Sequence, residues 1–200
     1  MTTGPGANYF SGRGVFVDEE GLHLAAVVAD GKLYCAEVMS LESFGFGTYS
    51  FELASDPTLI DSNLVLGLFT WRDAISDDHP EYGHRELDIE LSRWGQPDNP
   101  QNADFITQPY SLPEHMVRFL FPTGFSISTH TLAWSHGNAR FSSSAGGRIV
   151  KEQVMNRQVP DSGGETLHFN LWSVKPHLAN DGITHIVIKT FAFDPERANP

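Results

Sequence analysis

Three carboxyl side chains recur at every second position in Glu86-Leu87-Asp88-Ile89-Glu90, and Leu91-Ser92-Arg93-Trp94 follows. Alternate residues of an extended strand share a face, so Glu86, Asp88 and Glu90 stand on one side and Leu87, Ile89 and Leu91 on the other. The apolar set can lock into a core. That leaves three acids in a row, which raise one another's proton affinity unless a proton, a metal or a ligand shares the charge. A solvated acidic strand would alternate in the same way. The surroundings favour a cleft: Trp71 and Trp94 flank the segment, and Asp73, Asp77, Asp78 and Glu81 crowd upstream of it. Apolar rings beside carboxyls suit a sugar, whose faces stack on the rings while its hydroxyls bind the acids.

Such a set can hydrolyse a glycosidic bond with retention. One carboxylate attacks the anomeric carbon, and a second, kept protonated, gives its proton to the leaving oxygen. Positions i and i+4 lie about 13 Å apart on an ideal strand, whereas retaining carboxyl groups approach to about 5–5.5 Å. The two Glu side chains must therefore lean together on a curved strand. Asp88, between them, can hydrogen-bond to the nucleophile, leaving one Glu ionised and the other protonated near neutral pH.

The elements that must hold these acids are strands. Short alternating runs punctuated by Gly, Pro, Asn and Asp read as Val15–Val17, Leu22–Val28, Leu33–Met39, Gly47–Leu53, Leu64–Trp71 and Glu86–Trp94. The rhythm continues through 104–108, 125–134, 140–143, 166–172 and 185–193, with turn signals such as Glu20-Gly21 and Asp30-Gly31. Segment 113–120 reads equally as a short helix or a strand. About a dozen strands and no convincing amphipathic helix predict an all-β fold, two stacked antiparallel sheets in a jelly-roll sandwich. The 200 residues suit one domain over the whole chain, with no internal repeat or linker.

The segment Glu86-Leu87-Asp88-Ile89-Glu90 resembles the ExDxE signature of glycoside hydrolase family 16, in the lichenase and xyloglucanase form without an extra bulge residue. Flanking segments resemble the family in order: 36–38 with 46–51, 66–71 before the signature, 129–134, 167–172 ending in Asn170-Leu171-Trp172, and 187–191. The resemblance implies a concanavalin A-like jelly roll whose concave sheet binds a polysaccharide or oligosaccharide. It implies Glu86 as nucleophile, Asp88 as its modulator and Glu90 as general acid/base of a retaining endo-hydrolase or transglycosylase on a β-linked polymer such as a β-glucan. Trp71, Trp94 and Trp172 would line sugar subsites, with Asn170 and His168 on the same strand face, and Trp134 would sit in the core. A lectin-like module that binds glycans without cutting them is the alternative on the same fold. The chain departs from the family after Trp134, where Phe141 leads into Ser142-Ser143-Ser144-Ala145-Gly146-Gly147; this predicts an altered cleft wall.

Composition limits the other classes. Lys plus Arg number 13 against Asp plus Glu 25, a net charge of −12, which disfavours nucleic acid and anionic membrane as partners. No run approaches the roughly 20 apolar residues of a membrane span, and the start MTTGPGANYF has no signal-peptide pattern. An extracellular or periplasmic location is implied by the resemblance alone, and a monomer is expected. Cys35 is the only cysteine and reads as a small core residue. No GxGxxG, Walker, GxSxG or SxxK pattern occurs. No cofactor is expected, and the nine histidines lack the spacing of a transition-metal site. His79 and His84 with Asp77, Asp78 and Glu81 make a fortuitous cation cluster, while His23, His130 and His185 read as structural. The resemblance adds a structural Ca2+ on the convex side, with Asp194 as the nearest carboxylate.

Overall fold

A computed structural model describes residues 5–73 and 84–196. Fifteen strands are present among them: β1 (Tyr9–Phe10), β2 (Val15–Val17), β3 (Leu22–Ala25), β4 (Val27–Ala29), β5 (Lys32–Met39), β6 (Gly47–Leu53), β7 (Leu64–Trp71) and β8 (Leu87–Ser92), followed by β9 (Ala103–Thr107), β10 (Met116–Phe119), β11 (Ser128–Ser135), β12 (Asn138–Ala145), β13 (Arg148–Met155), β14 (Thr166–Ser173) and β15 (His185–Pro195). They form two sheets. One has the order β1-β5-β14-β7-β8-β9-β10, with β4 also on β5; the other runs β13-β12-β11-β6-β15-β3-β2. All pairings are antiparallel except that of β1 with β5. This is the all-β two-sheet sandwich that the alternation predicts.

The core lies between the sheets. Leu66 and Leu68 of β7, Leu87, Ile89 and Leu91 of β8, Phe105 of β9 and Phe169 of β14 face Phe51 of β6, Trp134 of β11, Phe141 of β12 and Ile186 of β15, all buried. Phe169 meets Phe51 edge-on at 5.5 Å, and Phe105 stacks on Phe141 at 5.3 Å. Each large apolar side chain so buried stabilises by about 1.5–3 kcal/mol. Trp134 donates its indole N–H to the Pro160 carbonyl at 3.0 Å, and Cys35 is buried with its thiol pushed up to about 11 by desolvation.

The strands differ from expectation in four places, and one reading left open is decided. The run Leu22–Val28 divides at Ala26, whose N–H bonds to the Thr184 carbonyl, because the chain there leaves one sheet for the other. The acidic strand is Leu87–Ser92: Glu86 precedes it, and Trp94 and Gly95 turn out of it at φ 53° and 73°. Residues 113–120 yield a strand, β10, and no helix. The strand expected to start at 125 starts at Ser128. Finally, the Ser-rich run after Phe141 continues β12 and turns through Gly146 and Gly147, at φ 56° and 72°, into β13, which the sequence reading missed. β13 is a mostly exposed edge strand and shows little apolar alternation. It belongs to the sheet opposite the cleft, so this departure does not shape the cleft wall.

Candidate active site

The outer face of the first sheet is built in rows across the strands. One row runs Glu37, Asn170, Gly67, Glu90, Asp104, Arg118 on β5, β14, β7, β8, β9 and β10. The next runs Met39, His168, Phe69, Asp88, Ile106, Met116. Alternation on each strand then puts Trp71, Glu86 and Trp172 on the same face. These side chains line a cleft of about 680 Å³ that brings together all eight residues singled out from the sequence: Glu86, Asp88, Glu90, Trp71, Trp94, Trp172, Asn170 and His168. It also takes in Pro5, Glu37, Phe69, Ile106, Gln108, Tyr110, Met116 and Arg118.

The acids are held as the alternation requires. Leu87, Ile89 and Leu91 point into the core, so the three carboxyls face the cleft. Burial is the main cause that raises all three above the usual carboxylate range. Glu86 is pushed up to about 7, opposed by a hydrogen bond from Asp88. Asp88 is raised by burial and then by the charges of Glu86 and Glu90, and it accepts a hydrogen bond from Gln108 Nε2 at 3.3 Å. Glu90 reaches about 8, raised by burial, Asp104 and Glu86 and lowered by Arg118.

The aromatic walls are fixed from outside. Trp71 stacks on His84 at 3.9 Å, and the ring nitrogen Nδ1 of His84 bonds to the Arg72 carbonyl. Trp94 donates Nε1–H to Asp104 Oδ2 at 2.8 Å and meets Trp172 edge-on at 5.7 Å. His168 has both ring nitrogens engaged, Nδ1 with Glu37 Oε1 and Nε2 with Thr166 Oγ1, each at 2.8 Å. It therefore offers the cleft little beyond its ring and its grip on Glu37. Asn170 lies over β7, where a Cβ on Gly67 would stand 2.5 Å from Asn170 Oδ1, a buried atom with no hydrogen-bond partner. Gly67 leaves room for that amide, and the sequence marks it only as a glycine inside an apolar strand.

Asp104 and Arg118 escaped the sequence reading. Asp104 is fully buried and accepts Arg118 Nε–H at 2.8 Å and Nη2–H at 3.0 Å, a two-pronged ion pair. Only strand register brings the two together beside Glu90, and a single sequence gives no sign of register.

Of the metal expectations, Asp77, Asp78, His79 and Glu81 lie outside the described residues. Asp194 is exposed, and no group of three imidazole, thiol or carboxylate ligands among the described residues includes it. Such a group does form at Asp18, Glu20 and His23. There the His23 ring is already spoken for, Nε2 by Asp18 Oδ1 at 2.8 Å and Nδ1 by His185 Nε2 at 2.7 Å, which ties β3 to β15. No described helix is long and apolar enough to cross a membrane.

No protein-family model matches the chain, and no curated protein matches it in sequence. Solved structures match in fold. A native glycosidic hydrolase superposes with a TM-score of 0.69 at 16% identity, over 98% of this chain and 88% of that one. A β-glucanase of Bacillus licheniformis gives 0.65 at 17%, over 95% and 86%. A Bacteroides ovatus mixed-linkage glucan enzyme of glycoside hydrolase family 16, solved with the product G4G4G3G, gives 0.64 at 15%, over 92% and 86%. The two-sheet antiparallel sandwich thus matches the jelly roll of these family 16-type glucanases, and this chain has that fold.

Proposed function

We propose that the chain is a retaining endo-glycoside hydrolase of family 16 that cleaves an uncharged β-glucan. The observation that carries this reading is the set Glu86, Asp88 and Glu90 on one face of β8, inside an aromatic-walled cleft. Glu86 attacks the anomeric carbon while Glu90 gives its proton to the glycosidic oxygen, and the aglycone leaves from a covalent glycosyl-enzyme. Glu90, now a base, takes a proton from water, whose oxygen displaces Glu86. The causes support this division of roles: a hydrogen bond from Asp88 lowers Glu86, whereas the Asp104 charge raises Glu90. Asp88, protonated, donates a hydrogen bond to Glu86.

An uncharged substrate follows from the cleft charges. Glu37, Glu86, Asp88 and Glu90 line it, and Arg118, the one Lys or Arg among its described lining residues, is already committed to Asp104. A sulfated or uronic polymer would meet the carboxylates of Glu37 and Glu86 with no uncommitted Lys or Arg among the described lining residues to receive it. The glucan product held by the Bacteroides ovatus neighbour is of the uncharged class.

The test is reducing-end release from mixed-linkage glucan, laminarin, xyloglucan, agarose and carrageenan by wild type, Glu86→Gln and Glu90→Gln. Wild type is expected to release ends from a neutral glucan, and each variant to lose at least about a thousandfold while staying folded at the assay temperature. Full activity in both variants sinks the catalytic assignment. Calorimetric binding of a glucan with no new ends after long incubation replaces it with the lectin-like module.

A further inference from the structure

Beside Glu90 the row continues into a second charge cluster, Asp104 and Arg118 with Trp94, of which the sequence flagged Trp94 alone. Asp104 is fully buried, and every polar atom of its carboxylate is used: Oδ1 accepts from Arg118 Nε, and Oδ2 accepts from Arg118 Nη2 and from Trp94 Nε1, all at 2.8–3.0 Å. The Arg118 guanidinium also lies 5.7 Å from the Trp94 ring centroid. Asp104 does not line the cleft, whereas Arg118 and Trp94 do.

We propose that Asp104 is a positioning residue: its carboxylate clamps Arg118 and Trp94 as one wall of the cleft, and its negative charge keeps the proton on Glu90 until the leaving oxygen takes it. The proposal rests on Glu90 as the general acid. Register supplies the physical reason. Asp104 sits directly opposite Glu90 on the adjoining strand, while Arg118 comes from the strand beyond. Directly paired side chains lie about 5 Å apart, and the next strand is about 4.8 Å farther. The strand of the anion thus adjoins Glu90 while that of the cation is one farther, and the Asp104 charge raises Glu90 more than the Arg118 charge lowers it, so the pair as a whole favours the neutral acid. The other groups facing Glu90 are Glu86 and Asp88 of its own segment. At this level β7 offers only Gly67 and β14 the neutral Asn170 amide, with Glu37 and His168 beyond. Asp104 is thus the one anion that approaches Glu90 from another strand at its own level among the described residues.

The experiment reads Glu90 without substrate. Glutamate side-chain carboxyls are labelled with carbon-13, Glu90 is assigned through Glu90→Gln, and its titration is followed by NMR in wild type, Asp104→Asn and the double variant Asp104→Asn with Arg118→Met. In Asp104→Asn, which leaves the cation unopposed, the Glu90 midpoint falls by about one pH unit or more. In the double variant it falls by less, because both charges go. A buried pair replaced as a whole is often tolerated, so the double variant covers the case in which Asp104→Asn does not fold. Midpoints that coincide with wild type in folded variants, or a rise in either, overturn the proposal. Because the readout needs no turnover, failure of the glucan assay and failure of this inference are separate results.

Discussion

Glu86 and Glu90 have the same side chain and lie in the same cleft, yet they hold protons differently because different groups face them. A hydrogen bond from Asp88 favours the ionised form of Glu86, whereas the Asp104 carboxylate beside Glu90 favours the neutral form. The proposed reaction needs Glu86 ionised and Glu90 protonated, so kcat/KM is expected to rise with pH through about 7 as Glu86 loses its proton. It should fall again through about 8 as Glu90 loses its own. A pH–rate profile on the best glucan checks this, and a plateau extending to pH 10 would remove Glu90 as the acid. The three acids were legible in the sequence because alternation alone puts them on one face. Asp104, Arg118 and Glu37 were not: Asp104 and Arg118 are each the lone charged residue of a short strand, Glu37 shares β5 only with Lys32 at its far end, and their meaning appears only when the strands pair.

A strand can support a site through a missing side chain as well as through one it carries. Gly67 sits on β7 between Asn170 and Glu90 with an ordinary strand backbone, and its lack of a Cβ lets the Asn170 amide lie across the sheet. Gly67→Ala pushes on the tip of a side chain and leaves the backbone unclashed, so the fold should tolerate it. Expected is a melting temperature within about 2 °C of wild type, with kcat/KM down about tenfold or more as Asn170 is displaced. Unchanged kinetics would show that Asn170 does not act where it lies. The bounds of β6 and β7 agree with the alternation to the residue, because one face of each is buried along its whole length. β13 was illegible for the opposite reason: at the sheet edge it buries only Met155, so nothing imposes a two-residue period on its apolar residues.

The whole molecule holds its acids against their own preference for water. Glu86, Asp88 and Glu90 are all raised in the fold, so near neutrality the folded chain keeps protons that the unfolded chain releases. Their contribution to stability is complete below about pH 4 and is lost as pH rises through 7 and 8. Glu90→Gln cannot ionise and escapes this loss. The variant is expected to melt above wild type at pH 9, by on the order of 5 °C, and alongside it at pH 4. Scanning calorimetry of both proteins at the two pH values checks it, and a gap that widens toward acid would reverse the sign of the argument. An enzyme that traded stability for a poised site would show this signature.

Neighbouring strands repeat about every 4.8 Å, so the sheet that carries the acids is also a ruler laid across the substrate. The acids are not at its middle: from β8, two strands, β9 and β10, lie on one side, and β7, β14, β5 and then β1 lie on the other. On the proposed function, a polymer lying across the strands would be gripped over unequal lengths on the two sides of the bond that breaks. Short oligomers should split off-centre into a longer and a shorter piece, the proportion set by strand order before any contact with an individual sugar is counted.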